Sequence, residues 1–383
     1  MNYRTQIIHA GRDRDPYTGA SSIPIYQAST FAQADPERPG AYDYSRSGNP
    51  TREALEWAIA ELEQGETGLA FASGMAATSS VMMLFQPGDH LVVTNDVYGG
   101  TYRALTSLFR QWKLEHTFVD MTDMDAVRDA IQPHTRALFV ETPANPLLQI
   151  SDLAGLAALA QERGLISIID NTFMTPYLQR PIPFGFDVVI HSATKFLGGH
   201  SDVIAGLVVT RDRKLGKRVK AIQNTFGGIL GPQDAWLTLR GMKTLAVRMD
   251  AQQAGATRIA EWLQQQSDIK HTYFPGSSDH PGAGLHAKQA DGPGAVVSFE
   301  LADKETTLNM LKRIKLSLVA VSLGGIESIL SYPACMSHAA MPREERYQRG
   351  ITDGLLRLSV GLEDPADIID DMDQAIQAAL SQG

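Results

Sequence analysis

The chain has 383 residues, a formal net charge of -9 and 43% hydrophobic residues. This length allows two or three domains of about 150 residues, and the composition is too apolar for a disordered protein. The negative charge argues against nucleic acid and anionic membranes as partners, and no apolar run approaches the ~20 residues needed to span a bilayer. The single cysteine, Cys335, excludes an intrachain disulfide, and the N-terminus lacks the apolar core of a signal peptide, so we expect a cytoplasmic protein.

The first 50 residues predict an irregular arm, because prolines and glycines interrupt them repeatedly. Several aromatic side chains lie among these residues, so we expect the arm to pack on a neighbouring subunit. The pattern changes at Thr51, which we expect to cap a helix. Leu55, Ile59 and Leu62 fall on one face of that helix.

Short continuous apolar runs then alternate with helical stretches. Such runs are typical of strands that are covered on both faces, and the alternation predicts an α/β protein with a mostly parallel sheet. The expected strands are 69–71, 91–93, 117–119, 137–140, 166–169, 188–190 and 207–209. The expected helices between them are 76–85, 102–112, 124–131 and 153–163.

The C-terminal part of the chain predicts a second, smaller α/β domain. A long helical stretch at 232–265 leads into it. Strands are expected at 295–299, 316–319 and 355–360, and helices at 306–314 and 368–380. We therefore expect three parts along the chain: the arm (1–50), a larger domain (51–240) and a C-terminal domain (241–383).

Two predicted strands end in polar residues. Asp170 ends one of them, and the next is followed by Ser192, Thr194 and Lys195. Ligands of open parallel sheets bind at the carboxyl ends of strands, so we expect Asp170 and Lys195 at the same sheet edge. For an isolated pair, a salt bridge that caps two strands is the simpler interpretation.

The surroundings of the lysine indicate a phosphate site as well. Ser192 and Thr194 flank the position with hydroxyl groups, and Gly74 lies between a predicted strand and a helix. Free N–H groups at a helix N-terminus bind phosphate. A lysine, a carboxylate and a phosphate site together are what pyridoxal 5'-phosphate requires. Tyr98 follows another strand and could stack on the cofactor ring, although a surface tyrosine beside a glycine turn is an equal alternative.

Seven short motifs, which occur in order along nearly the whole chain, resemble those of a known protein family. They read YSRSGNPT at 44–51, SGMA at 73–76, ETPANP at 141–146, DNTF at 170–173, SATK at 192–195, SLGG at 322–325 and RLSVG at 357–361. The chain resembles the Cys/Met metabolism family of pyridoxal-phosphate enzymes, the trans-sulfuration enzymes. The resemblance implies the type I, aspartate-aminotransferase-like fold, with 51–240 as the cofactor-binding domain. It also implies a homotetramer that is a dimer of catalytic dimers.

The resemblance further implies roles for the matching residues. Lys195 would bear the cofactor and move protons, Asp170 would pair with the pyridine nitrogen, and Tyr98 would stack on the ring. The phosphate would be held by Gly74, Met75, Ser192 and Thr194, while Tyr44 and Arg46 would reach the phosphate of a neighbouring subunit. The substrate site would contain Arg357, which takes the α-carboxylate, together with Asn145, Ser322 and Val321.

The choice of reaction depends on few positions. Many γ-synthases and γ-lyases of the family have a glutamate where this chain has Val321, and methionine γ-lyases usually have a cysteine where it has Gly100. At both positions the chain resembles bacterial β-lyases, so we expect β-elimination of L-cystathionine, a small sulfur amino acid, to homocysteine, pyruvate and ammonia. Cystathionine γ-lyase, γ-synthase and methionine γ-lyase activities stay open, as does a role in methionine biosynthesis or in breakdown.

Two functions from other classes fit these residues less well. A lysine aldolase without a cofactor would leave the flanking phosphate-type residues unexplained. A pyridoxal-phosphate sensor without activity would not need Lys195, Asp170, Tyr98 and Arg357 intact. We expect no metal site, because Cys335 and the histidines lack the spacing of a structural zinc site.

Overall fold

The computed structural model describes residues 1–11, 15, 17–339 and 341–381. Its contacts divide the chain into two compact units. The first unit comprises Met1–Gln86 and Ile166–Ala246, and the second comprises Pro87–Leu165 and Val247–Gly383. The division into an arm and two domains, with boundaries at 50 and 240, is based on the expected function of each part. It stays a prediction.

Helices and strands alternate along most of the described chain. The strands are β1 (Thr67–Phe71), β2 (His90–Thr94), β3 (Glu115–Val119), β4 (Thr135–Glu141), β5 (Ile166–Asp170), β6 (Val188–Ser192), β7 (Gly206–Thr210), β8 (His271–Tyr273), β9 (Val296–Glu300), β10 (Leu318–Val319), β11 (Ile329–Ser331) and β12 (Leu355–Ser359). The helices are α1 (Tyr3–His9), α2 (Pro50–Glu63), α3 (Gly74–Met82), α4 (Gly99–Arg103), α5 (Met124–Ala130), α6 (Leu153–Arg163), α7 (Thr175–Leu178), α8 (Pro181–Phe184), α9 (Arg213–Phe226), α10 (Pro232–Met242), α11 (Leu245–Gln264), α12 (Ala283–Gln289), α13 (Lys304–Leu311), α14 (Arg343–Gln348) and α15 (Pro365–Leu380).

The first unit contains strands in the order β1-β7-β6-β5. β5 and β6 are parallel, whereas β7 is antiparallel to both of its neighbours. The helix α2 packs closely on β1, because a β-carbon at Gly68 would overlap the carbonyl oxygen of Glu56. β6 and β7 are buried along nearly their whole length, as expected for a sheet covered by helices.

The second unit contains three parallel strands in the order β4-β2-β3 and a separate sheet in the order β10-β11-β12-β9-β8. In that separate sheet β10 and β11 are parallel and the other pairs are antiparallel. Side chains from α11 and α15 pack on it, and fully buried members of this core are Ile259, Leu263, Phe299, Leu358 and Met372. This sheet is the predicted smaller α/β region.

The predicted strands from 69 to 209 are all confirmed, but several helices differ from expectation. Asn49, not Thr51, caps α2: its side chain accepts hydrogen bonds from the backbone N–H groups of Thr51 and Arg52. Thr51 instead donates its hydroxyl to the Pro24 carbonyl at 2.8 Å. An asparagine before a proline at the first helical position is a strong start signal, which the prediction placed two residues late.

The long helix expected at 232–265 is two helices, α10 and α11. The last turn of α10 tightens, since Lys243 N donates to Arg240 O and Thr244 N to Gly241 O, both at 3.2 Å. The Thr244 hydroxyl also donates to Gly241 O at 3.0 Å, which satisfies a carbonyl that a continuous helix would use. The predicted irregular arm likewise begins with the helix α1.

The helix predicted at 102–112 is also different. It begins earlier, as α4, and continues as a π-helical segment over Ala104–Phe109. No helix in the described ranges combines the length and the apolar character that a bilayer span requires.

Candidate active site

Asp170 and Ser192 end two neighbouring strands of the first unit. In the parallel register of β5 and β6, Asp170 lies opposite Ile190. The Thr172 hydroxyl donates to Asp170 Oδ1 at 2.5 Å and accepts the backbone N–H of Ser192 at 2.8 Å. The Thr172 backbone N–H also donates to Asp170 Oδ1, at 3.0 Å. One threonine therefore fixes the aspartate against the strand that leads to the lysine.

Opposing effects act on the pKa of Asp170. Burial raises the pKa of its carboxyl group, while the hydrogen bonds from Thr172 and the nearby His191 lower it. Burial without a cationic partner is costly for a carboxylate, so a ligand with a positively charged N–H group would be stabilised at this position. The geometry suits the role predicted for Asp170.

Lys195 lies in the turn that follows β6. Its backbone N–H donates to Ser192 O at 3.1 Å, and its carbonyl accepts from Gly199 N at 2.8 Å. Thr194 holds the same turn to Ala205: its hydroxyl accepts from Ala205 N at 3.1 Å and donates to Ala205 O at 3.3 Å. Because this hydroxyl is already engaged with backbone, the phosphate contact of Thr194 stays a prediction.

The N-terminus of α3 lies directly beside Ser192. Ser73 caps the helix, accepting the N–H of Ala76 at 3.0 Å. A β-carbon on Gly74 would stand 2.9 Å from Ser192 Cβ and 3.0 Å from its hydroxyl. Glycine therefore lets the first turn of α3, with the N–H groups of Gly74 and Met75, approach the Ser192 hydroxyl closely. These are donors for an anion.

Tyr44 and Arg46 lie side by side at the surface of the first unit. The Arg46 guanidinium carbon is 5.5 Å from the centre of the Tyr44 ring, and Arg46 Nε donates to Asn224 Oδ1 at 3.3 Å. Both side chains are exposed within one chain. Their reach into a neighbouring subunit stays a prediction.

The second unit gathers polar groups around Arg357, on β12. Its Nη1 donates to Asn145 Oδ1 at 2.7 Å, and its Nη2 donates to the Ser322 carbonyl at 2.7 Å and to Ser331 Oγ at 3.2 Å. We call these four residues the arginine cluster. Ser322 adopts a left-handed backbone with φ of 91°, a strained conformation for serine that aims its carbonyl at the arginine.

Arg357 is 3% exposed, and this burial lowers its pKa to about 10, while Glu141 and Tyr98 raise it. The guanidinium is thus still charged at neutral pH. Its Nε has no hydrogen-bond partner in the part of the chain that the structure describes. A buried cation with a spare N–H donor is suited to a carboxylate ligand.

Tyr98 and Val321 present their side chains to solvent in the second unit. The Tyr98 residue is 43% exposed and precedes α4, with its backbone N–H bonded to Glu141 Oε2 at 2.9 Å. Val321 is 63% exposed and directly precedes Ser322. The stacking role of Tyr98 and the specificity role of Val321 stay predictions.

Sequence reasoning missed several polar residues of these sites. Ser331 was not assigned, although β11 brings it opposite Arg357 in the antiparallel register with β12. Glu63 was not assigned, and His191 was considered only as a metal ligand. In β6, His191 alternates with Ser192, so its side chain was predictable on the opposite sheet face. Its contact with Glu63, more than a hundred residues away, was not.

Comparison with known proteins decides the family. The model of the Cys/Met metabolism PLP-dependent enzyme family matches residues 4–377. The chain belongs to this family. It is 54% identical over 373 residues to a Bacillus subtilis protein named cystathionine beta-lyase MetC, covering 97% of this chain and 96% of the relative. It is 50% identical over 377 residues to the cystathionine gamma-lyase of the same organism, covering 98% and 100%.

A solved structure extends the likeness to the fold. The crystal structure of cystathionine gamma-lyase from Lactobacillus plantarum, complexed with L-serine, is 47% identical. It superposes with a TM-score of 0.97 and covers 99% of this chain and 100% of that one. The predicted family, the type I fold and the pyridoxal 5'-phosphate cofactor are thereby confirmed, and the protein is a pyridoxal-phosphate-dependent carbon–sulfur lyase.

The residues of the first unit fit this cofactor. The close approach of the start of α3 to Ser192, which a β-carbon at Gly74 would prevent, brings together the N–H and O–H donors that a phosphate needs. Burial raises the pKa of the Asp170 carboxyl group, and a protonated ring nitrogen beside it would favour its ionised form. Among the described side chains, no group of three or more His, Cys, Asp or Glu is placed to hold a metal ion.

Replacing Gly74 tests the phosphate site. Gly74→Ala should raise the cofactor Kd about tenfold, the equivalent of one weakened hydrogen bond to a charged group, because the added carbon must displace Ser192 or the first turn of α3. The matched control is Gly231→Ala, where a β-carbon meets no atom within 4 Å. Titration of apoprotein with cofactor measures both values, and equal Kd values for the two variants would contradict the assignment.

Proposed function

We propose that the enzyme cleaves L-cystathionine by β-elimination. The observation that carries this choice is Val321, an exposed apolar residue next to the Ser322 carbonyl that holds Arg357. An acidic side chain here would favour the distal ammonium group of cystathionine in the orientation needed for γ-chemistry. The relative of 54% identity named cystathionine beta-lyase MetC supports the same choice.

Lys195 is proposed to remove the substrate's α-proton and to return protons later. When bound, pyridoxal phosphate withdraws electrons from the substrate's α-carbon, so that this proton becomes acidic. Loss of the proton is followed by cleavage of the Cβ–S bond, and the sulfur leaves with the electron pair and takes up a proton as homocysteine. The remaining three-carbon fragment reacts with water to give pyruvate and ammonia.

Other side chains are proposed to bind and orient. Asp170 faces the ring nitrogen as a carboxylate, held by the Thr172 hydroxyl. Gly74, Met75, Ser192 and Thr194 hold the phosphate, and Tyr98 stacks on the ring.

Arg357 is proposed to bind the substrate's α-carboxylate. Asn145 and Ser322 hold its guanidinium in place, and its Nε–H is available to the ligand within the described structure. Fixing the carboxylate fixes the direction in which the α-proton points, which is a requirement for efficient proton removal.

γ-Elimination of the same substrate is the second candidate. It would release cysteine and 2-oxobutyrate, and the 50% identity to a protein named cystathionine gamma-lyase favours it. Methionine γ-elimination has less support. Enzymes with that activity usually have a cysteine at the position of Gly100.

The products separate the two candidates. With L-cystathionine, pyruvate should exceed 2-oxobutyrate by about tenfold or more, and Val321→Glu should shift the ratio toward 2-oxobutyrate, whereas the apolar control Val321→Leu should not. Chromatography of the 2-oxo acids measures the ratio. An excess of 2-oxobutyrate from the unaltered enzyme would refute β-elimination as its main reaction.

The enzyme is also proposed to act as a homotetramer of catalytic dimers in the cytoplasm. The exposed pair of Tyr44 and Arg46, on the arm, supports an intersubunit contact with the cofactor phosphate. A single cysteine is in keeping with a reducing compartment.

Mixed subunits test this contact. Arg46→Ala should raise the cofactor Kd about tenfold, while Arg38→Ala, an exposed arginine of the same arm, should not. In dimers that pair Lys195→Ala with Arg46→Ala subunits, the intact lysine receives an intact Arg46 from its neighbour. Activity per Lys195 should therefore rise above that of Arg46→Ala alone. No rise on mixing would show that Arg46 does not serve the neighbouring site.

A further inference from the structure

A buried carboxylate lies behind the strand ends that carry the cofactor residues. Glu63 is the last residue of α2 and is completely buried. Its Oε1 accepts from His191 Nε2 at 2.6 Å and from Asn171 Nδ2 at 2.9 Å. His191 is completely buried as well. The two side chains thus meet at ion-pair distance with no access to water.

The partners of Glu63 are the chain neighbours of cofactor residues. Asn171 directly follows Asp170, and His191 directly precedes Ser192. Asn171 is held further by hydrogen bonds with Gln179, through its Nδ2 at 2.8 Å and its Oδ1 at 3.0 Å. One carboxylate therefore fixes the ends of both β5 and β6, on which Asp170 and the turn with Lys195 depend.

The imidazole lies on the sheet face opposite to Asp170. In the register of β5 and β6, Asp170 lies opposite Ile190, so it shares a face with Ile190 and Ser192. His191, between those two, points to the other face, toward α2. A positive charge there acts on Asp170 through the sheet, and His191 does lower the pKa of Asp170 against the effect of burial.

Complete burial makes an unpaired charge on Glu63 costly. A carboxylate with no exposure and no cationic partner costs several kcal/mol, whereas a hydrogen-bonded ion pair offsets much of that cost. His191 is the ionisable group that hydrogen-bonds to Glu63. Glu63 Oε2 and His191 Nδ1 have no hydrogen-bond partner among the residues the structure describes, so within that part of the chain Glu63 is held through its Oε1 by His191 and Asn171.

We propose that Glu63 and His191 form a buried ion pair that positions the strand ends and keeps a positive charge behind Asp170, so that Asp170 stays ionised opposite the cofactor's ring nitrogen. This inference rests on the proposed role of Asp170. Neither Glu63 nor His191 is proposed to touch cofactor or substrate, and both are positioning residues. A neutral, purely structural contact is the competing explanation.

The variant His191→Gln distinguishes the effect of the His191 charge from that of its hydrogen bond to Glu63. Glutamine keeps an N–H donor for Glu63 but has no charge. We expect the cofactor Kd to rise about tenfold, in the middle of the range for residues of one hydrogen-bond network, and the absorption maximum of bound cofactor to shift in the direction produced by Asp170→Asn. Thermal unfolding of the apoprotein should move to lower temperature as well, because Glu63 is left as a buried carboxylate without a cationic partner, so the cofactor Kd and spectrum are compared under conditions in which the variant is folded. The control is His286→Gln, at a buried histidine of the second unit, which should alter neither cofactor property.

A double-mutant cycle tests whether His191 acts on the cofactor through Asp170. If His191 acts through the charge of Asp170, His191→Gln in the Asp170→Asn background should raise the Kd by less than about twofold. The same factor in both backgrounds, or an unchanged Kd and spectrum in the single variant, would overturn the ion-pair proposal. If His191→Gln does not fold, Glu63→Gln enters the same cycle with the same expected results. If Asp170→Asn itself leaves Kd and spectrum unchanged, the proposed role of Asp170 fails instead.

Discussion

The hydroxyl of Thr172 joins the two strand ends on which the first unit's chemistry depends. It donates to Asp170 and accepts from the backbone of Ser192, so the acidic group and the strand that leads to Lys195 have one fixed spacing. A buried carboxyl group rotates and takes up a proton unless such bonds hold it. The start of α3 then closes on Ser192, because Gly74 has no β-carbon to prevent it.

In the second unit the buried charged group is a cation instead of a carboxylate. Arg357 is buried, and its cost is offset by the side chains and the carbonyl of the arginine cluster rather than by a directly bonded carboxylate. A bonded carboxylate would neutralise the arginine and compete with a ligand's own carboxylate. Neutral oxygen acceptors orient the guanidinium and leave its charge available. The strained backbone of Ser322 is one cost of this arrangement.

Much of the fold was predictable because its strands are continuous apolar runs between helices, and β1 to β7 lie where those runs occur. The site residues at strand ends followed from the same pattern together with the family motifs. What failed depended on contacts distant in sequence. The break between α10 and α11 comes from local hydrogen bonds of Gly241 and Thr244 that periodicity does not reveal. Short strands such as β8 and β11 are defined by their partners, and the link from Glu63 to His191 needs the folded chain.

We propose that Lys195, and no other lysine, bears the cofactor. Reduction of the holoenzyme with borohydride makes the bond between cofactor and lysine permanent, and mass spectrometry of a digest then locates the phosphopyridoxyl group. We expect the label on Lys195 at about one per chain. A label on another lysine, or none on the peptide that contains Lys195, would contradict it.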